Sequence, residues 1–190
     1  MRCWMSILLT GFEKFSLYNN NLSEILVDKF PDNFYHHSIE KLIFPVKWKQ
    51  NWQFIKQKIE NIKFLPSIFV LTGIQEANYI SLEDRAYNFK FGLDEEKHFK
   101  CSLITIRNHL CLKSNVNVGQ LLKKTKIHEE IRISVYPGVY LCNYIYYLIL
   151  KYYKKYSYVI FIHFPKEGSF FSCFRTLNSI ITTLINMYDS

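Results

Sequence analysis

Apolar runs and helical repeats alternate along the chain. Continuous apolar runs that end in glycine predict strands buried on both faces at Ser6–Gly11 and Ser67–Gly73. A further apolar run predicts a buried strand at Tyr158–His163, and alternating apolar positions predict a half-buried strand at Ile131–Tyr136. This order predicts a single α/β domain, a three-layer sandwich in which a mixed, mostly parallel twisted sheet has helices on both faces.

Apolar residues at helical spacing predict three longer amphipathic helices. They cover Trp48–Ile62, Asn143–Lys155 and Ser172–Met187. A shorter helix ends before Pro31, and either Asn21 or Ser23 is placed to cap its first turn. Loose alternation over His36–Val46 predicts one more strand.

The middle of the chain shows weaker periodicity of its hydrophobic positions. The stretch IQEANYISLEDRAYNF, which begins at Ile74, is predicted as a loop at the sheet edge where ligands bind in open α/β folds. Within Phe89–Glu130, alternation predicts a strand at Cys101–Ile106, and helical spacing predicts the end of a helix at Leu121–Lys126. The rest of this segment gives no clear prediction.

Composition narrows the class of protein. The chain has 190 residues, of which 49% are hydrophobic, so we expect residues 1–190 to form one domain with a real core. The formal net charge is +8, but the longest basic runs are the pairs Lys123–Lys124 and Lys154–Lys155, with no recognisable nucleic-acid motif. Solvated surface charge is the favoured interpretation, and no nucleic-acid partner is expected.

Cysteine usage and the lack of a targeting pattern predict a cytoplasmic protein. The five cysteines are an odd number without a CxxC pair, which argues against a disulfide framework and a thiolate zinc site. The first residues have no small-residue cleavage site, and the apolar run Val139–Leu150 is too short to span a bilayer. No membrane partner is expected. The oligomeric state is left open, a homo-oligomer included.

Two residues carry candidate chemistry. Pro137 and Gly138 break the Ile131–Tyr136 strand, so Cys142 falls near a helix start, where free N–H groups and the helix dipole favour a thiolate. His163 ends the next strand, and a right-handed crossover would bring both strand ends to one edge. The two can act as nucleophile and general base, with a loop carboxylate as third member. Ordinary core packing is the alternative for each.

Four stretches of the sequence match, in order, the motifs of one known family. LLTGFEKFSLYNNNLS is similar to the family's LLTGFxPFGGxxxNPS, and ISLEDRAYN is similar to its ITPERVAxN. SVYPGVYLCN is similar to SxxAGTYxCN, and YVIFIHFP is similar to GFIHxP. The chain therefore resembles the pyroglutamyl peptidase I family of cysteine peptidases over most of its length.

The resemblance implies an activity and a set of catalytic residues. It implies a hydrolase that removes N-terminal pyroglutamate from a peptide substrate, without a metal or organic cofactor. It places Cys142 on the nucleophile, His163 on the general base and Glu83 on the acid of a Glu–Cys–His triad. The residues that it places on the pocket for the lactam ring are Phe12, Phe15, Tyr140 and Leu141. For these four, ordinary core packing is the alternative.

Some positions depart from the family's pattern. The glycine-rich segment GQAGGR is GIQEAN here, so the stretch Ile74–Asn78 has lost its glycines and is one residue short before Glu83. Leu93 stands where the family has an arginine, and Pro137 stands where it has an alanine. These changes keep one alternative open, a relative with the same fold that has lost or altered activity and serves a binding or regulatory role. A second alternative, a basic nucleic-acid-binding protein, is supported only by the net charge.

Overall fold

The computed structural model describes residues 5–15, 20–49, 52–125 and 130–188. The helices are α1 Leu22–Lys29, α2 Trp52–Glu60, α3 Val118–Lys124, α4 Leu141–Tyr153 and α5 Phe170–Tyr188. The strands, in chain order, are β1 Ser6–Phe12, β2 Asn33–Phe34, β3 His37–Phe44, β4 Ile68–Gln75, β5 Ile80–Glu83, β6 Arg85–Tyr87, β7 Lys90–Leu93, β8 Phe99–Ser102, β9 Cys111–Lys113, β10 Ile131–Ser134 and β11 Tyr158–Pro165.

Seven of these strands form the central sheet, in the order β10-β5-β11-β4-β1-β3-β2. The four inner strands β11, β4, β1 and β3 are parallel to one another. On one side β5 runs antiparallel to β11, and β10 is parallel to β5; on the other side β2 runs antiparallel to β3. The sheet is therefore mixed and mostly parallel, as the sequence predicts.

Helices cover both faces of the sheet. Side chains that alternate along β1 enter two different cores, because successive residues of a strand point to opposite faces. Ile7 and Leu9 pack with residues of α1, α3 and α5, whereas Leu8 and Phe12 pack with residues of α2 and α4. The predicted three-layer α/β class is confirmed. Within the described residues, no helix combines the length and apolar character that a membrane crossing needs.

Strand register sets up the site at one end of β11. Its neighbour β4 places Gly73 opposite His163. Its other neighbour, the antiparallel β5, places Ser81 opposite His163 and Glu83 opposite Phe161. Diagonal neighbours on one face of a sheet are within reach of long side chains, so Glu83 can contact His163 across the two strands.

The presence of β5 and the direction of β10 correct two predictions. Residues Ile74–Phe89 were predicted as a loop, but they include the end of β4 and all of β5 and β6. Glu83 is therefore held on a sheet strand. The predicted crossover is also wrong, because β10 runs antiparallel to β11 and the two strand ends lie at opposite edges.

Other boundaries differ from the sequence prediction because tertiary contacts override local pattern. Trp48 lies before α2, since its indole N–H donates to the Gly92 carbonyl at 3.0 Å. The strand predicted at Cys101–Ile106 is instead β8, which ends at Ser102. Alternation at β10 predicted a half-buried strand, but Ile133 is 44% exposed.

Candidate active site

Cys142 lies in the first turn of α4, as the sequence predicts. Gly138 has a φ of +78°, a left-handed conformation that glycine adopts without strain, and it turns the chain towards the helix. The helix begins at Leu141, and Tyr140 before it is extended. Tyr140 is the N-cap residue of α4, and its side chain accepts no hydrogen bond from a first-turn N–H group among the described residues. These N–H groups are therefore left to bind an anionic atom beside the half-buried thiol.

Glu83 and His163 form a buried pair. Oε1 of Glu83 lies 2.8 Å from Nδ1 of His163, and the two residues are only 1% and 5% exposed. Because Nδ1 faces the carboxylate, Nε2 is the nitrogen left for Cys142, whose Sγ lies beside Gly73, the residue opposite His163 on β4. The structure thus brings together the three residues that the resemblance places on the triad.

Opposing effects act on the pKa of His163. Burial lowers the pKa, because a buried imidazolium loses its hydration, but hydrogen bonds with Cys142 and with Glu83 outweigh this effect. The pKa of His163 rises from 6.5 to about 9. The ring therefore keeps its second proton at neutral pH.

Gly73 makes room for the thiol. A Cβ atom at this position would lie 2.9 Å from Sγ of Cys142 and 3.1 Å from Cζ of Phe161. Side chains in a close-packed interior cannot absorb such overlaps without moving. The sequence predicts Gly73 only as the end of a strand, because close approach by a distant side chain leaves no signal in the apolar pattern.

A small apolar pocket opens beside Cys142. All four residues that the resemblance places on the lactam pocket line it, and three further residues also contribute: Asn21, Val46 and Ile74. Its volume is about 80 Å³, far below the roughly 300–1,000 Å³ of sites for drug-sized ligands, so it admits only a small group. A larger cleft of about 380 Å³ lies between residues 76–80 and the start of α5. The smaller pocket is the candidate substrate site because Cys142 lines it.

Asn21 and Ser23 hold the end of β1 and Glu13 against the start of α1. The Ser23 hydroxyl accepts the Phe12 N–H at 3.1 Å, and the Asn21 amide donates to the Glu13 carbonyl at 3.1 Å. Oδ1 of Asn21 in turn accepts the N–H and the hydroxyl of Ser23 at 3.0 and 2.8 Å. Of the two predicted caps, Asn21 occupies the N-cap of α1. The same contacts fix Phe12 in the pocket wall.

Tyr140 forms another wall of the pocket. Its hydroxyl donates to the Leu93 carbonyl at 2.8 Å, and its ring packs edge-on against Trp48 with centroids 5.2 Å apart. Leu93 stands where the family has an arginine, and its side chain is 51% exposed. At this position the backbone carbonyl accepts the hydrogen bond from the pocket wall.

Hydrogen bonds of its own Gln75 side chain hold the altered segment Ile74–Asn78 in place. Ile74 lines the pocket, and Gln75 ends β4. The Gln75 amide donates to the Tyr79 carbonyl at 2.6 Å and to the Ser81 hydroxyl at 3.0 Å. The loss of the family's glycines is therefore accommodated by an extended strand and a side chain that closes the turn.

One group in the described part of the chain brings ligand-type atoms of three residues within 4.8 Å of one another: Asp94, Glu96 and His98. The Asp94 carboxylate accepts the backbone N–H groups of Trp48 and His98, each at 2.8 Å. Glu96 pairs with Lys47 at 3.0 Å. These partners indicate that the Asp94, Glu96 and His98 cluster is structural, because it attaches the β7–β8 hairpin to Trp48.

Known proteins share both sequence and fold with this chain. The pyrrolidone-carboxylate peptidase of Brachyspira hyodysenteriae is 32% identical over 174 residues, which cover 85% of this chain and 83% of that protein. A relative with the same name from Saccharolobus islandicus is 28% identical and covers 87% and 82%. A solved mutant pyrrolidone carboxyl peptidase from Pyrococcus furiosus has a TM-score of 0.88 at 22% identity, over 97% of this chain and 100% of that one.

Family-level similarity extends over most of the chain. The family model for pyroglutamyl peptidase matches residues 5–169, a span that contains the first loop, Glu83, Cys142 and His163. The structural match independently gives the same α/β fold. This chain belongs to the pyroglutamyl peptidase family.

Proposed function

We propose that this protein is a cysteine peptidase that hydrolyses the N-terminal pyroglutamyl group from peptides, with Cys142, His163 and Glu83 as its triad. The observation that carries the proposal is an imidazole that contacts a buried carboxylate at 2.8 Å, with the Cys142 thiol next to the strand position opposite it and a pocket of about 80 Å³ beside the thiol. Family membership supports pyroglutamate as the group that the pocket binds.

Acylation begins with the Cys142 thiolate. Its sulfur attacks the carbonyl carbon that joins pyroglutamate to the next residue, and the carbonyl oxygen becomes an oxyanion. Backbone N–H groups at the start of α4 are placed to stabilise this charge. The His163 imidazolium then donates its proton to the departing amine, so that the C–N bond breaks and a thioester remains.

Deacylation reverses the proton transfer. His163, now neutral, accepts a proton from a water molecule while the water oxygen attacks the thioester carbonyl. The C–S bond breaks, pyroglutamate leaves as the free acid, and the thiolate–imidazolium pair is restored. Throughout both steps Glu83 accepts a hydrogen bond from Nδ1 of His163, which holds the tautomer and stabilises the imidazolium.

Pocket size and composition suit a lactam. Phe12, Phe15, Tyr140 and Leu141 give apolar walls against which a flat five-membered ring can pack, and a volume of about 80 Å³ suits a small group. The same walls exclude a charged N-terminal amine, because burying an unpaired charge is costly. The proposal therefore includes a preference for pyroglutamate over unblocked residues.

Hydrolysis of a fluorogenic pyroglutamyl amide in the presence of a thiol reductant tests the proposal. We expect wild-type turnover and none for Cys142→Ala. Cys101→Ala is the matched control, since Cys101 is exposed on β8, and it should keep wild-type turnover. A prolyl amide, which lacks the lactam carbonyl and carries a charged amine, should not be cleaved. Folded, reduced wild-type protein without activity above the Cys142→Ala background would refute the proposal.

Several expectations about the wider context belong to the same proposal. We expect residues 1–190 to act as one domain in the cytoplasm, with a peptide as partner and neither nucleic acid nor membrane. Gel filtration with light scattering tests whether the protein forms a homo-oligomer. A salt-dependent mobility shift with duplex or single-stranded nucleic acid would contradict the expected lack of a nucleic-acid partner.

A further inference from the structure

Tyr146 lies one helical turn after Cys142 on α4. Residues four apart are neighbours on one face of a helix, so Tyr146 faces the same strands as the thiol. The side chain is fully buried, and its hydroxyl donates to the backbone carbonyl of Glu83 at 2.8 Å. The helix that carries Cys142 thus also holds the main chain of Glu83.

The Glu83 carboxylate has few other restraints. Oε1 contacts His163, while Oε2 is buried and has no hydrogen-bond partner among the described residues. Glu83 is also the last residue of β5, where it lies opposite Phe161 of β11 and Ser134 of β10. Its position relative to His163 therefore depends on what fixes its backbone, and the Tyr146 hydroxyl is bonded directly to that backbone.

Ring contacts connect the same elements. The Tyr146 ring packs on Phe161 with centroids 5.5 Å apart, and Phe161 packs on His163 with centroids 4.7 Å apart. Phe161 is also the residue that lies opposite Glu83 in the sheet. Tyr146 therefore touches the support beneath the imidazole as well as the backbone of Glu83.

We propose that Tyr146 is a positioning residue, whose hydroxyl fixes the Glu83 main chain and thereby the contact between Glu83 and His163. This inference rests on the proposed function, because it assigns Tyr146 a part in the activity of the triad. Tyr146 touches neither thiol nor lactam pocket in this scheme; it acts through Glu83. Removing the hydroxyl leaves the Glu83 carbonyl buried without that donor, and the end of β5 shifts or loosens.

Tyr146→Phe removes one oxygen and keeps the ring, and the chain supplies a matched control. Tyr147 is equally buried on the same helix, and its hydroxyl donates to the His109 carbonyl at 2.7 Å. Tyr147→Phe therefore loses a tyrosine-to-carbonyl hydrogen bond away from Glu83, which is part-buried where that of Tyr146 is buried. We expect kcat of Tyr146→Phe to fall about three- to tenfold, the factor that one hydrogen bond is worth, with KM unchanged. Tyr147→Phe should keep wild-type kcat.

Titration of His163 by NMR gives a readout that does not need turnover. The titratable groups that act on this ring are Cys142 from α4 and Glu83 from β5, and both raise its pKa. A weaker contact with Glu83 lowers the pKa of His163, so we expect a value below about 9 in Tyr146→Phe and an unchanged value in Tyr147→Phe.

The outcomes separate this inference from the function beneath it. Equal kcat and equal His163 titration in the two variants would overturn the role of Tyr146, even if the wild type cleaves pyroglutamyl amides. A parallel loss of kcat and melting temperature in both variants would also overturn it, since general loosening would then explain the effect. An inactive wild type with the expected His163 shift would refute the proposed function and keep the positioning contact.

Discussion

Replacing Gly73 with alanine tests whether the open space on β4 sets the position of the nucleophile. The added Cβ would lie 2.9 Å from Sγ of Cys142 and 3.1 Å from Cζ of Phe161, whereas non-bonded contacts favour about 3.5–4.0 Å. The thiol must therefore move by roughly 0.5–1 Å. Misplacement of a reacting group by about 1 Å can cost about a hundredfold in rate, so we expect kcat of Gly73→Ala to fall by that order.

Stability must be measured alongside the rate. Overpacking a core costs about 1–3 kcal/mol, so we expect Gly73→Ala to melt at a lower temperature but to fold. The assay compares kcat, KM and the rate of Cys142 alkylation well below that melting temperature. KM should change less than kcat, because the added methyl group displaces the thiol and not the walls of the pocket.

A glycine elsewhere supplies the control for Gly73→Ala. In α3 a Cβ at Gly119 would meet Oδ1 of Asn117 at 3.6 Å, an ordinary contact, and alanine favours a helix. Gly119→Ala should keep wild-type kcat and equal or higher stability. If folded Gly73→Ala shows wild-type kcat and wild-type alkylation, the close approach of thiol and strand does not matter, and our reasoning about Gly73 is wrong.

Two further substitutions probe the acid and the first loop. Glu83→Gln keeps an oxygen near Nδ1 of His163 but removes the charge, so kcat should fall about 10²- to 10⁴-fold. In the wild type, the His163 imidazolium loses its proton as pH rises through about 9. In Glu83→Gln the carboxylate no longer stabilises the imidazolium, so the pKa of His163 is lower. The alkaline limb of the kcat/KM profile should therefore shift to lower pH. An unshifted limb would argue against the pair. Asn21→Ala removes the cap of α1 and part of the pocket wall, so the free energy of unfolding should fall by about 0.5–2 kcal/mol and KM should rise. Denaturant unfolding and steady-state kinetics check both, and unchanged values would contradict the role of Asn21.

Long apolar runs made much of the fold predictable. The buried strands β1, β4 and β11 and the helices α4 and α5 follow from patterns that no other local structure satisfies as well. Pro137 and Gly138 likewise predict the turn that puts Cys142 in the first turn of α4. Motif resemblance then singled out Glu83 from the several carboxylates of its segment, which periodicity alone could not do.

Short strands and long-range contacts escaped prediction. β5 has only four residues, so its alternation of apolar Ile80 and Leu82 with polar residues is at the lower limit of length that indicates a strand. Its antiparallel direction depends on pairing with β11, which no local pattern encodes. Gly73 and Tyr146 were missed for a similar reason: their roles arise from contacts with Cys142 and Glu83 across the fold. Trp48 lies outside the predicted helix because its indole N–H donates a hydrogen bond to the Gly92 carbonyl, in a hairpin distant in sequence.

Trapping the acyl-enzyme tests the central claim most directly. Wild-type protein is mixed with a pyroglutamyl ester or amide, quenched in acid during steady turnover and digested for mass spectrometry, with Cys142→Ser treated in parallel. We predict a thioester-linked pyroglutamyl group on the peptide that contains Cys142, released by hydroxylamine. An adduct on any other residue of an active enzyme, or active turnover by Cys142→Ala, would contradict the assignment of Cys142 as the nucleophile.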